Sequence, residues 1–384
     1  MDNNLKLGGD LIGMGSYGCV FYPGIKCNSS HKGNYTSDGV SKIFYDNKSK
    51  NEARYEFKIS KLISNIRGHE NWAAIWNKAC VPPEYDKISK IEPQIRECLE
   101  DNNITVRDFN KNKYMLIGPY SGNSLMDLIH NIFNKITKKD FNKNFLYLMK
   151  IIKPLFIGLV EMNKNNILHH DIKYDNIIFN GNCKYIDFGL SCKYSDISFI
   201  MNRINNEFQS ARIYPSYPYE FIYLFGDEYN LNNEYYEISD EIYRGLHERY
   251  ILVHETLFGR KNTKQYLLNL INYAKDGKLM KEKTNIISTL DTYSLGILVP
   301  YILLKIAKSY NKLYTLKKLL LEKEIKPFID LFKSMCEPDN KERLNPLDAY
   351  NKYLELEKLY LNKDTKKVKN TKDRRRTRRR TRRA

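Results

Sequence analysis

Paired cysteines are missing from this sequence. The seven that it has (Cys19, Cys27, Cys80, Cys98, Cys183, Cys192 and Cys336) are scattered, odd in number and include no C-x-x-C pair. That pattern argues against a disulfide framework and against a zinc site, and it favours a reducing compartment. Long apolar runs are missing too. The longest, Leu295 to Leu304, covers 10 residues and contains Pro300, so it reads as a buried core helix and not as a bilayer span. The opening M-D-N-N-L-K lacks the apolar stretch of a secretory signal, and no export is expected. No internal repeat is visible. Tryptophan is scarce, 2 residues against 30 tyrosines, and with abundant Asn and Lys this is the usage of an A+T-rich genome.

What is present suffices for a large core. The 384 residues are 42% hydrophobic and 13% aromatic, enough for two domains or for one two-lobed domain with insertions. The net charge of +18 is uneven. Residues 363–384 hold 13 Lys/Arg and 2 Asp, a net of +11, which leaves +7 for residues 1–362.

Strand signals dominate the first part of the chain. L-I-G and C-V-F-Y flank a Gly-rich turn, and V-S-K-I-F follows a polar loop. Apolar spacing at Phe57, Ile59, Leu62, Ile63 and Ile66 predicts a helix over 51–66. Residues 80–112, with Pro82, Pro83 and Pro93, read as irregular. Tyr114 to Ile117 reads as a short buried strand broken by Gly118-Pro119. Beyond it the pattern is helical at 125–133, 145–164 and 289–310, and then to about Leu361.

Two strings carry chemistry. G-M-G-S-Y-G (Gly13, Gly15, Gly18) sits between strand-like flanks. Such a turn lets backbone N–H groups lie close over phosphates, although three spaced glycines also make an ordinary hairpin turn. The second string is far more specific: H-H-D-I-K-Y-D-N at 169–176, then D-F-G at 187–189. Between them I-I-F-N-G-N-C-K-Y-I reads as two strands around Asn180-Gly181, a favoured tight-turn dipeptide.

These strings resemble the catalytic and metal-binding loops of eukaryotic-type protein kinases, H-R-D-x-K-x-x-N and D-F-G. The resemblance implies an α+β, protein-kinase-like two-lobed fold over 8–361. Its small N-lobe would be 8–117, its hinge 118–121 and its mainly helical C-lobe 122–361, with insertions at about 80–110 and 224–283. It implies transfer of the ATP γ-phosphate to a protein hydroxyl with Mg²⁺ as cofactor. Asp171 would be the catalytic base, Lys173 would steady the transferring phosphate, and Asn176 and Asp187 would be the metal ligands. Ile12, Gly13, Met14, Gly15, Ser16, Tyr17, Gly18, Cys19 and Val20 would cover the nucleotide, and Lys42 would grip its phosphates. Glu56 would be the helix partner of Lys42, with Glu52 as the competing candidate. Backbone at Gly118 and Tyr120 would meet the adenine, whose faces Val20, Val40 and Ile178 would sandwich. Further on, P-Y-E (Pro218 to Glu220), D-T-Y-S-L-G (Asp291 to Gly296) and C-E-P-D-N-K-E-R-L-N (Cys336 to Asn345) resemble structural motifs in the family's order, with Glu220 paired to Arg343.

Departures from the pattern are informative. His170 replaces the usual arginine before the catalytic Asp, which puts activation by a pairing phosphate in doubt. Ser60 occupies a place that is usually apolar. Glu220 and Asp291 stand 71 positions apart, which implies the second insertion, with a helix at Tyr266 to Ala274. Compressed motifs and large insertions resemble kinases of large DNA viruses, with A+T-rich protists as the other source, and imply an intracellular setting (host cytoplasm or virion). Lys173 resembles Ser/Thr kinases, whereas Ile213 stands where their usual Thr would be. A catalytically silent kinase-fold protein and a small-molecule kinase of related fold are the rival readings.

The tail from Lys363 to Ala384 has almost nothing apolar to bury and is expected to be disordered. It reads as a solvated end, as a binder of nucleic acid or another polyanion, or as a kinase substrate at Thr377 and Thr381, each of which follows three arginines.

Overall fold

Side-chain alternation builds the first part of the chain. The computed structural model describes residues 10–15, 18–28, 39–89, 94–133, 137–200, 202–203, 216–218, 220, 253–276 and 278–361. The chain divides into two units. One is Met1–Asn123 with Ile178–Asn180 and Lys184–Ser191; the other is Ser124–Ile177, Gly181–Cys183 and Cys192–Ala384. The architecture is mixed: an antiparallel sheet lies in the N-terminal region and most of the rest is helical.

The first unit holds β1 (Asp10–Gly15), β2 (Gly18–Tyr22), β3 (Gly39–Phe44), β4 (Lys78–Cys80) and β5 (Tyr114–Pro119), in the order β1-β2-β3-β5-β4. The register sets Val20 opposite Lys42 and Lys42 opposite Leu116. Strand side chains point to alternate faces, so Lys42, Phe44 and Leu116 share one face. There Phe44, Ala53 and Leu116 pack together with Phe57 and Trp76 of α1 (Asn47–Ser64) and the chain beyond it. Helix α1 begins four residues before the expected start because Asp46 and Ser49 form a reciprocal capping box.

The opposite face is covered by the segment expected to be irregular. It contains α2 (Tyr85–Ile88), α3 (Gln94–Asp101) and α4 (Val106–Asn112). Ile95, Cys98 and Leu99 form an apolar stripe on α3 and pack with Phe21, Ile43 and Met115 of the sheet. The prolines obscured this pattern: Pro82 and Pro83 precede α2, and Pro93 immediately precedes α3. The cysteine reading is also corrected. Cys19 is bonded to Cys98 and Cys27 to Cys80, at Cα separations of 6.2 and 6.0 Å, within bridging range. Cys19–Cys98 ties β2 to α3 of the covering segment and Cys27–Cys80 ties the chain after β2 to β4, so the cysteine count gives no argument for a reducing compartment. Strand β5 also runs on through Gly118 and Pro119, which pair with Val40 and Gly39 of β3. Beyond Ile117 no β4 residue is paired, so proline, which has no N–H, sits where only one neighbour strand must be satisfied.

The second unit contains α5 (Leu125–Phe133), α6 (Lys138–Ile151), α7 (Lys153–Lys164), α8 (Arg260–Lys275), α9 (Lys283–Ser309), α10 (Leu313–Leu319), α11 (Lys326–Met335) and α12 (Pro346–Leu356). The single helix expected over 145–164 is two, because Pro154 opens a new helix at its N-terminus. β6 (Asn123–Ser124), β8 (Ile177–Asn180) and β9 (Asn182–Tyr185) form a small sheet, and β7 (Ile167–Leu168) pairs with β10 (Cys192–Lys193). Helix α9 is long and apolar enough to cross a membrane by length and composition, but 89% of that stretch is buried. It is apolar on all sides because it is surrounded. Gly296 permits the closest approach: a Cβ there would stand 2.6 Å from Met335 Cβ of α11 and 3.1 Å from the Phe332 carbonyl. Residues 363–384, 224–250 and Ile213 lie outside the described residues, as do Ser16 and Tyr17.

The bridges make a countable prediction. In denaturant without reductant, three thiols should react (Cys183, Cys192 and Cys336), and all seven after reduction. Cys98→Ala should cost about 2–4 kcal/mol in a urea titration. Seven reactive thiols before reduction would remove the bridges.

Candidate active site

In the first unit, three charged side chains meet from distant parts of the chain. Lys42 Nζ lies 3.0 Å from Glu56 Oε2 of α1 and 3.5 Å from Asp187 Oδ1 of D-F-G. Trp76 Nε1 donates to the other Glu56 oxygen at 2.6 Å. Glu56 is 2% exposed and Asp187 45%, so one carboxylate is locked into the core and the other faces out. Burial works against the Lys42 ammonium, but Asp187 and Glu56 outweigh it and hold the group charged well above the usual lysine range. Glu52 lies a turn earlier on α1, half-exposed, and has no part in this cluster. Ser60 is fully buried, and its hydroxyl accepts the Trp76 N–H at 3.4 Å.

The glycine-rich turn has a structural reason of its own. A Cβ on Gly18 would stand 2.3 Å from the Ile43 carbonyl, whereas one on Gly13 would meet only ordinary contacts at 3.7 Å. Gly18 is therefore required by the close packing of β2 on β3, and Gly13 is not forced in that way. Ile12 and Met14 are half-exposed. Val20 and Val40 are half-buried and share the Lys42 face. The Cys19 side chain does not belong with them: it is fully buried on the opposite face, in the bridge to Cys98. Its alternation along β2 decides this. Tyr120 stacks on Tyr22 with ring centroids 4.0 Å apart and donates its hydroxyl hydrogen to Asn123 Oδ1 at 3.1 Å. Gly118 lies within β5, and Ile178 is half-buried in β8.

In the second unit, the 169–176 loop turns inward on Asp171. Lys173 Nζ donates to Asp171 Oδ2 at 2.9 Å and Asn176 Nδ2 donates to the same oxygen at 2.7 Å. Asn176 Nδ2 also donates to the Asp171 carbonyl at 3.0 Å. Asp291, fully within the core on α9, accepts the backbone N–H groups of His169 at 2.6 Å and of His170 at 3.0 Å. His170 has a φ of +66°, a left-handed conformation that costs a residue with a side chain of order 1–3 kcal/mol and is held here by the Asp291 grip. Glu220 and Arg343 form the expected pair at 2.5 Å, both buried, with Arg343 also over the Tyr293 ring at 5.0 Å.

Four residues escaped the sequence reading. Trp76 and the anchoring action of Asp291 are two; Arg203 and Tyr217, both on Asp171 or its loop, are the others. Only Asp291 had a sequence signal, its place in D-T-Y-S-L-G.

Each unit by itself offers one oxygen donor of the kind magnesium takes. Asp187 offers a half-exposed carboxylate, and Asn176, whose Nδ2 is engaged by Asp171, has an amide oxygen left to offer. Hard oxygens in small number are what Mg²⁺ takes from protein when phosphates and waters supply the rest.

No protein-family profile matches the chain. Partial likenesses are found. Calcium-dependent protein kinase 4 of Plasmodium berghei is 30% identical over 155 residues, 38% of this chain and 28% of that protein. A protein of Acanthamoeba polyphaga mimivirus, provisionally named a serine/threonine-protein kinase, is 34% identical over 95 residues, 24% of this chain and 33% of its own. The chain thus spans about a third or less of these relatives. They support a relationship to protein kinases.

The Asp291 site carries a pH prediction. Burial, partly opposed by the two backbone N–H groups, pushes its carboxyl up to about 7. With the unfolded value lower, the folded chain binds the extra proton between about pH 4 and 7, so this group's contribution to stability is full in acid and is lost as pH rises to 7. Urea midpoints at pH 4.5 and 7.5 should show that fall in the wild type, and a smaller fall in Asp291→Asn. Equal pH dependence in both would exclude the assignment.

Proposed function

We propose that this chain is an ATP-dependent protein kinase acting on Ser/Thr hydroxyls, with residues 8–361 as a two-lobed kinase domain hinged at 118–121. The observation that carries the reading is the Asp171 carboxylate, buried in its loop and held by Lys173 and Asn176 on a single oxygen. A loop that spends two donors and a buried anchor to orient one carboxylate suits a group that must receive a proton in a defined direction. Lys42, gripped by Glu56 and Asp187, supports the same reading: its charge is fixed where a strand and a helix meet, as a phosphate ligand requires.

In this reaction the substrate hydroxyl oxygen attacks the γ-phosphorus. An O–P bond forms, the bond from that phosphorus to the bridging oxygen breaks, and ADP leaves with its electron pair. Asp171 takes the hydroxyl proton. Lys173 steadies the transferring group, and Lys42 holds the α- and β-phosphates. Bound Mg²⁺, held by Asn176 and Asp187, would neutralise developing phosphate charge. The polybasic segment 363–384, net +11, is proposed to hold a polyanion such as nucleic acid through phosphate contacts. The intracellular setting, host cytoplasm or virion, is part of the proposal.

Purified chain with labelled ATP-Mg²⁺ and a protein library should label Ser/Thr, and Asp171→Asn should lose at least about a hundredfold in kcat. Equal labelling by both proteins removes Asp171 from this role. Deleting residues 363–384 should abolish salt-sensitive retention on DNA or RNA, since each neutralised phosphate steepens the salt dependence; unchanged retention refutes the tail assignment.

A further inference from the structure

The Asp171 carboxylate is bonded by Lys173 and Asn176 of its own loop, and a positive charge from outside that loop lies close to it. The guanidinium of Arg203, in the segment after D-F-G, lies 3.8 Å from Asp171 Oδ1. That is the carboxylate oxygen other than the one held by Lys173 and Asn176. The distance is beyond a hydrogen bond, so the effect of Arg203 on Asp171 is that of a nearby positive charge. It acts between side chains only 17% and 4% exposed, where screening by water and salt is reduced.

Something must keep a flexible arginine in that place, and Tyr217 does. The Arg203 Nε and a terminal nitrogen each donate to the Tyr217 hydroxyl oxygen at 3.3 Å. The Tyr217 hydroxyl donates in turn to the His170 carbonyl at 2.7 Å. A phenol oxygen has one hydrogen to give and lone pairs to receive, and here both capacities are used. Tyr217 is 3% exposed, its ring tilted against His170 at 5.6 Å. The residue before Asp171 is therefore held from two sides: its N–H by Asp291 and its carbonyl by Tyr217.

We propose that Arg203, keyed by Tyr217, is a positioning residue for Asp171: it sets the direction of the carboxylate and balances its charge, and it joins the segment after D-F-G to the candidate catalytic loop. This rests on the kinase reading of Asp171. Arg203 does not touch ATP in this scheme, so its removal acts on turnover and not on nucleotide affinity.

The test uses the full chain with Arg203→Gln, Arg203→Lys and Tyr217→Phe. Arg203→Gln should lower kcat about 10- to 100-fold with KM for ATP within about twofold of wild type. Arg203→Lys, which keeps the charge but not the two-armed grip, should recover most of that loss. Tyr217→Phe should fall between them. Hydrogen exchange of backbone amides in 168–173, which needs no turnover, should quicken in Arg203→Gln and Tyr217→Phe. If wild type transfers no phosphate, the kinase reading fails and the exchange result alone decides whether the clasp holds the loop. The proposal is overturned if Arg203→Gln keeps kcat and exchange at wild-type levels, or if Lys performs no better than Gln.

Discussion

The placement of Asp171 depends on a carboxylate buried on the long core helix α9. Asp291 is the buried carboxylate of α9, flanked there by buried Thr289, Leu290, Thr292 and Tyr293, a costly position for a potential anion. Its compensation is specific: the two amide N–H groups of His169 and His170. Those amides lie in a loop that has no helix or sheet partner for them, so each side resolves the other's unsatisfied valence. With both amides fixed, His170 can hold its left-handed backbone, and the next residue, Asp171, leaves the loop in one direction only. Lys173 and Asn176 then act on a carboxylate already placed.

In the first unit the constraint is the pleat. Alternation along β3 puts Lys42 on the face shared with α1, and capping by Asp46 and Ser49 sets the phase of α1 so that Glu56 faces that strand. The other face is a second hydrophobic layer, closed by α2–α4 and cross-linked through Cys19–Cys98 and Cys27–Cys80. Cys19 is the residue next to Gly18, so the strand leaving the glycine-rich turn is fixed from behind. The segment between β4 and β5 is thus part of the sheet's support, and its removal would expose Phe21, Ile43 and Met115 together.

Local chemistry was legible in the sequence and long-range partnership was not. H-H-D-I-K-Y-D-N could be read because Asp171, Lys173 and Asn176 meet within one loop, and sequence spacing there is spatial spacing. Helix α5 was legible from its apolar phase alone. The bridges were not, because their cysteines lie 79 and 53 residues apart and only the sheet register brings them together. Helices α2–α4 were hidden because each is short, and prolines that start helices look like prolines that break them. Trp76 carried no signal because its indole N–H matters only once Glu56 is buried beside it.

His170 and Arg203 are best understood as one departure. An arginine preceding Asp171 would bring a permanent charge to the loop from within; the buried His170 ring is instead tilted against Tyr217. The positive charge is supplied instead by Arg203, through the hydroxyl of that same tyrosine. The charge enters from the segment after D-F-G and is fixed by a neutral hydrogen-bond relay, so its position depends on how that segment lies. A loop wired in this way couples the orientation of Asp171 to the docking of the neighbouring segment through side chains the protein already carries.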